Sequence, residues 1–212
     1  MRDTPPSRPP NIAWLTDRVP AGIAGTAGQR IAMTDSILDT TPLDPRAQPL
    51  IAALTIEYEH RYGDYFGEPA GQELLRYPAE LFAPPHGAFL LLLRNGETIG
   101  GGAFKRYDGQ TAELKRVWTR ADLRRQGLAR RILLELEARA SRQGYRRLYL
   151  TTGFRQPEAA NLYLDSGYAA LFDTRLDPEA YGHLPFGKDL REPGQTSALE
   201  DLRAAHPGAV AG

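Results

Sequence analysis

Residues 117 to 130 read Val117-Trp118-Thr119-Arg120-Ala121-Asp122-Leu123-Arg124-Arg125-Gln126-Gly127-Leu128-Ala129-Arg130, an order of residue types suited to holding a diphosphate. A strand ends at Thr119, a short loop follows, and the four-residue recurrence of Leu128, Ile132, Leu136 and Ala140 predicts a helix over Gly127–Gln143. The first turn of such a helix leaves backbone N–H groups unpaired and carries a partial positive charge, so a phosphate docked there collects several hydrogen bonds. Gly127 lets the anion reach the backbone, Ala129 leaves room at the next turn, and Arg124, Arg125 and Arg130 add charge-assisted contacts.

A second ordered segment follows: Thr151-Thr152-Gly153, then Gln156-Pro157-Glu158-Ala159-Ala160-Asn161-Leu162-Tyr163-Leu164-Asp165-Ser166-Gly167-Tyr168. Ser166 lacks the flanking pattern of a nucleophile elbow, which leaves hydrolase chemistry little support. The four histidines, His60, His86, His183 and His206, show no pair at zinc-helix spacing, so no metal is expected. His183 falls in a loop that could overhang a sheet and meet substrate. Tyr58, Tyr62, Tyr65 and Phe66 could line an acceptor pocket, or pack in the core as aromatics at helical spacing commonly do.

The elements that must position these residues alternate along the chain. Pro45–Tyr62 reads as an amphipathic helix with Leu50, Leu54 and Tyr58 on one face, and Glu73–Phe82 as a helical piece broken at Pro78. Ala88–Arg94 and Glu97–Tyr107 are strands joined by the turn pair Asn95-Gly96, and Gln110–Thr119 is a third strand after Asp108-Gly109. After the central helix come a strand at Arg147–Thr152, a short helix at Pro157–Ser166, and strands at Tyr168–Phe172 and Leu184–Leu190. The order α, β-β-β, α-β-α-β implies an α/β sandwich around a mixed sheet. Gly100-Gly101-Gly102 lies within a strand, which argues for a bulge or a close backbone approach and against a phosphate loop.

With both segments in view, the sequence resembles the GNAT superfamily of N-acetyltransferases over about Asp44 to Leu190, most strongly from Ala112 to Tyr168. The resemblance implies a mixed, mostly antiparallel sheet flanked by helices, with central strands splayed to admit the pantetheine arm of acetyl-CoA, the acyl donor and cosubstrate. It places that arm along Val117, Trp118 and Thr119. Arg124, Arg125, Gln126, Gly127, Leu128, Ala129 and Arg130 become the pyrophosphate cradle. Leu162, Tyr163, Gly167 and Tyr168 match the family's Leu-Tyr-x-x-x-Gly-Phe/Tyr motif and make Tyr163 the group that protonates the departing sulfur. Gln156 stands where many members carry an Asn that contacts the cofactor. Glu113, on the strand leading to the loop, is the first candidate for a general base acting through water, with Glu57 and Glu59 as alternatives. Its competing reading is a strand carboxylate paired with Lys115 or Arg147. The expected acceptor is the primary amine of a small molecule or peptide, and the alternative function is a non-catalytic module that binds acyl-CoA.

Composition sets the remaining bounds. With 212 residues and 42% hydrophobic content the chain can bury one core, and with no cysteine it excludes disulfides, thiolate metal sites and a cysteine nucleophile. No apolar run is long enough for a membrane span and the N-terminus has no secretion-signal pattern, so a cytoplasmic setting is expected. Basic and acidic residues balance at 26 each, yet Lys115–Arg147 holds eleven basic against three acidic side chains. A basic strip inside a neutral chain points to a compact anionic ligand or a solvated helix face, and no nucleic-acid partner is expected. Oligomeric state is open, a homodimer included. Residues 1–41 and 192–212 are Pro-, Gly- and Ala-rich and are expected to be disordered around a folded 42–191, with Met33 a candidate native start.

Overall fold

Every residue from Ala88 to Leu93 is buried, so this strand must be covered on both faces. It is the second of seven in the computed structural model, which describes residues 34–190 except Phe66, Glu68, Ala70, Gly71, Glu73 and Leu75, together with Leu199 and Leu202. The strands are β1 (Asp35–Thr40), β2 (Ala88–Arg94), β3 (Glu97–Arg106), β4 (Thr111–Thr119), β5 (Arg147–Gly153), β6 (Ala169–Ala170) and β7 (His183–Asp189). They form one sheet in the order β1-β2-β3-β4-β5-β7-β6, antiparallel throughout except for the parallel pair β4/β5. Among the described residues, α1 (Gln48–Tyr62), α2 (Leu128–Arg142) and α3 (Pro157–Asp165) flank it.

Alternation along β2 divides the core. Leu90 and Leu92 join Leu128, Ile132, Leu133 and Leu136 of α2, with Ala159 and Leu162 of α3 packed against that cluster. Phe89, Leu91 and Leu93 point the other way, onto Leu50 and Leu54 of α1. Each such side chain contributes about 1.5–3 kcal/mol on burial. The three consecutive glycines of β3 are the price of bringing helices close to both faces. A Cβ on Gly101 would stand 2.7 Å from Leu50 Cδ1 and from the Leu90 carbonyl, and one on Gly102 would stand 2.9 Å from Leu136 Cδ1.

The splay lies between β4 and β5. They pair only at Thr111/Arg147, Ala112/Leu148 and Glu113/Tyr149, after which β4 runs on to Thr119 and β5 to Gly153 without partnering each other. A bulge accompanies the parting: Lys115 to Trp118 on β4 span three steps against two from Ala103 to Gly101 on β3, and Arg116 takes φ 60°. The extra residue bends the end of β4, as β-bulges do, beside the gap.

Several elements differ from the sequence reading. Asp35–Thr40 lies in the stretch expected to be disordered, yet it is an edge strand paired along its whole length with β2. Ion pairs anchor it, Asp35 to Arg94 at 2.7 Å and Asp39 to Arg139 at 2.5 Å. The folded region therefore begins before residue 42, while residues 1–33 and the Met33 question lie outside the described residues. Leu202, expected in a disordered tail, is buried with Tyr149 and Leu171, and Leu199 packs beside them. The helical piece at Glu73–Phe82 is a 3-10 turn over Ala79–Phe82, since Pro78 carries extended backbone at its start, and Glu73 is outside the described residues. The strand at Tyr168–Phe172 is reduced to β6. No helix among the described residues is long and apolar enough to cross a membrane.

Candidate active site

At the N-terminus of α2 the loop closes on two left-handed residues, Arg125 at φ 65° and Gly127 at φ 75°. The first i→i−4 bond of the helix runs from Arg131 N–H to Gly127 C=O at 3.0 Å, so the N–H groups of Leu128, Ala129 and Arg130 precede the intrahelical ladder. Nothing lies within 4 Å of where a Cβ on Gly127 would stand. These groups border a cleft of about 570 Å³, lined also by Val117, Trp118, Thr119, Arg124, Arg125 and Tyr163. Open space over a helix start, with three guanidinium side chains on its rim, fits a diphosphate. Arg124 is held meanwhile by Glu57 of α1 at 3.4 Å.

Gln126 departs from the expected cradle. Its side-chain carbonyl accepts from Arg94 at 3.1 Å, which turns the amide toward β2, and the residue is not among those lining the cleft. Any contribution it makes to an anion comes through the backbone.

A second cavity of about 190 Å³ opens where β5 ends. Tyr58, Tyr62, Arg76, Lys115, Arg116, Thr152 and His183 are among its walls. Val117, Gln156, Ala159 and Tyr163 line both cavities. Tyr163, 8% exposed, packs edge-on to Tyr168 at 5.6 Å and against Phe186 at 5.7 Å, and burial pushes its phenol well above the ordinary tyrosine value. Tyr62 is pushed up to about 12 by burial. Gln156 reaches the junction but is tied down: its Oε1 accepts from Gly153 N–H and Thr152 Oγ1 at 3.3 Å each, and from Tyr62 Oη at 3.4 Å. That bonding makes it a brace for the β5–α3 loop.

Glu113, expected as the base, is not brought to the chemistry. It is 7% exposed and its carboxylate lies between Lys105 at 2.5 Å and Lys115 at 3.1 Å, with one oxygen engaged by each ammonium group. It lines neither cavity. The partner was legible from the hairpin: the turn at Asp108-Gly109 sets Lys105 directly across from Glu113. The other members of the sequence's aromatic set divide, with Tyr65 stacked on Phe154 at 5.0 Å and Phe66 outside the described residues. Arg76, Lys115, Arg116 and Thr152 were missed as cavity residues. Thr152 carried a signal, since it lies at the C-terminal end of a strand with a parallel neighbour, where α/β sheets open.

The basic strip is dispersed on folding. Arg131 and Arg139 pair with Asp35 and Asp39 of β1, Arg147 with Asp108, and Arg120 with Asp122. Arg124, Arg125 and Arg130 are the ones that reach the cleft. Among the described residues, no group of three or more His, Cys, Asp or Glu side chains could hold a metal ion.

The same architecture recurs in known proteins. A protein from Klebsiella pneumoniae assigned as an acyl-CoA N-acyltransferase shares 28% identity, with 74% of this chain and 98% of that one covered at a TM-score of 0.56. The PaiA N-acetyltransferase of Thermoplasma acidophilum, solved in complex with coenzyme A, aligns at 16% identity over 74% and 99% of the two chains with a TM-score of 0.57. A GNAT family acetyltransferase from Elizabethkingia anophelis with acetyl-CoA bound aligns at 16% identity over 73% and 97%, TM-score 0.52. No curated protein matches the chain in sequence. The family model described as "Acetyltransferase (GNAT) family" matches residues 52–168, from the middle of α1 through the Tyr163 motif. With that match spanning more than half its length and with a seven-stranded sheet that parts between β4 and β5, the chain belongs to the GNAT acetyltransferase family.

Proposed function

We propose that this protein transfers an acetyl group from acetyl-CoA to the primary amine of a small molecule or peptide by direct attack. The observation that carries this reading is the position of Tyr163, the one ionisable side chain among the residues that line both cavities. The N–H groups of Leu128, Ala129 and Arg130, with the side chains of Arg124 and Arg125, hold the diphosphate. Val117, Trp118 and Thr119 guide the pantetheine arm along the edge of β4 that β5 leaves open. Bound there, acetyl-CoA supplies an acyl carbon already activated as a thioester.

The amine nitrogen bonds to that carbon as the carbon–sulfur bond breaks. Tyr163 gives the departing sulfur its proton, and the proton that the nitrogen sheds as the amide forms returns to the Tyr163 phenolate, so charge balances across the step. An acceptor of lysine type is only about 0.04% free at pH 7, which makes removal of its first proton the larger demand. His183, at the start of β7 and in the wall of the smaller cavity, takes that proton in place of Glu113. Replacing His183 with Ala should lower kcat/KM about tenfold at pH 7, at or below the usual range for such groups because water can substitute at an exposed site. The deficit should shrink at pH 9, where more amine is already free. An unchanged rate at both pH values removes His183 from the step.

The reading as a whole is tested by incubating the protein with acetyl-CoA, a thiol reagent and an amine panel. Release of CoA that depends on the amine, with a product heavier by one acetyl group, is the expected result. Binding of acetyl-CoA without release across the panel would make the protein an acyl-CoA-binding module instead.

A further inference from the structure

Resting on the reading of the smaller cavity as the acceptor pocket, we infer that Tyr62 sets the size of acceptor this protein takes, its ring closing the cavity against amines with a bulky group remote from the nitrogen. The cavity holds about 190 Å³, less than the usual 300–1,000 Å³ of sites for drug-sized ligands. Two of its walls are strands, β4 over residues 114–117 and β5 over residues 151–153. Each is bonded to its outer neighbour in the sheet, β4 to β3 and β5 to β7, which holds both walls in place. Tyr62, the last residue of α1, lines the same cavity at the end of β5.

A glycine marks the seat of that ring. Gly153 ends β5 with a backbone outside the left-handed region, so its conformation does not demand glycine. What demands it is close approach: a Cβ on Gly153 would collide with the Tyr62 hydroxyl and ring. The next residues of the loop hold the ring as well, Phe154 edge-on at 5.9 Å and Gln156 by accepting from the Tyr62 hydroxyl at 3.4 Å. A ring so packed and 7% exposed does not swing aside when a ligand enters.

Such a wall discriminates by exclusion. An acceptor whose tail stops short of the ring keeps its nitrogen beside Tyr163. One with an added phenyl group must displace Tyr62 or draw its nitrogen back from the thioester, and a small misplacement of reacting atoms slows the step steeply. Truncating Tyr62 to Ala frees a space of a phenol's shape, which a phenyl group on the acceptor can fill.

Matched acceptors that differ by one phenyl group test this. CoA release by the full chain is measured with butylamine against its homologue bearing a terminal phenyl group, and with glycine methylamide against glycine benzylamide. The parent should favour the smaller member of each pair by about tenfold or more in kcat/KM. Tyr62→Ala should erase that preference by raising kcat/KM for the larger member relative to the smaller, whereas Tyr62→Phe, which keeps the ring, should retain it. Both members of a pair meet the same sample, so the ratio does not depend on how much of a variant folds. Tyr62→Leu, which also removes the ring, carries the same expectation and replaces Tyr62→Ala if that variant fails to fold. A preference that survives loss of the ring, or a parent that takes the larger amines as fast as the smaller, overturns the role of Tyr62 and leaves acetyl transfer standing. Binding of acetyl-CoA with no acetylation of any of these amines overturns both.

Discussion

Replacing Gly127 with Val should weaken acetyl-CoA binding at least 100-fold, read by calorimetry, while the protein stays folded. Two costs combine. Gly127 holds φ 75°, a left-handed backbone that costs an L residue about 1–2 kcal/mol, with β-branched side chains the worst placed. The side chain would also intrude on the open space at the start of α2, where the diphosphate is proposed to dock. Charge-assisted hydrogen bonds contribute about 1.5–3 kcal/mol each, so losing two of them alone accounts for a factor of 100. Because nothing beyond its own chain neighbours lies within 4 Å of the added Cβ, the fold's cost is the backbone strain and the melting temperature should fall by only a few degrees. Gly127→Ala, smaller and unbranched, should fall between the two. A dissociation constant for Gly127→Val within threefold of the parent would mean that the start of α2 is not the anion seat.

The loop and helix start proposed as that seat were readable in the sequence because everything they need is local. The apolar repeat of Leu128, Ile132, Leu136 and Ala140 announces the helix, and the residues just before it supply glycine and arginine. The hairpins were readable for the same reason: Asn95 and Gly96 carry φ 52° and 86° in the turn that their types demand. What was hidden depends on residues far apart in the chain. β1 offers only Ile37 and Leu38 as apolar anchors, and one of the arginines that retain it, Arg139, lies 100 positions from Asp39. The bulge at Arg116 has no local mark either, since nothing in that residue favours φ 60°. It accompanies the register shift between β3 and β4, which only the paired strands reveal. The smaller cavity is assembled from α1, β4, β5, α3 and β7 at once, so its lining appears only when the sheet is closed.

Tyr163→Phe should lower kcat by about 10 to 100-fold and leave the affinity for acetyl-CoA nearly unchanged. A general acid commonly contributes 10²- to 10⁴-fold, and two features hold this one to the low end. The leaving thiol resembles a cysteine near 8.5, against about 10 for an ordinary phenol, so sulfur can depart as a thiolate with moderate penalty. Burial lifts the Tyr163 phenol further, which widens the gap and delays proton transfer until charge has built on sulfur. The sign of that shift also fixes a pH signature. A phenol raised above its ordinary value remains protonated throughout the neutral and mildly alkaline range, so kcat should show no falling limb below about pH 10 from loss of this proton. In the Tyr163→Phe variant, a leaving group of lower pKa should recover rate relative to the parent, because it needs less help; thioesters of more acidic thiols provide that comparison. The phenol's ring packing against Tyr168 and Phe186 is preserved by Phe, so a loss of stability large enough to explain the rate is not expected. Unchanged turnover would take Tyr163 out of the mechanism and leave its place between the cavities as packing alone.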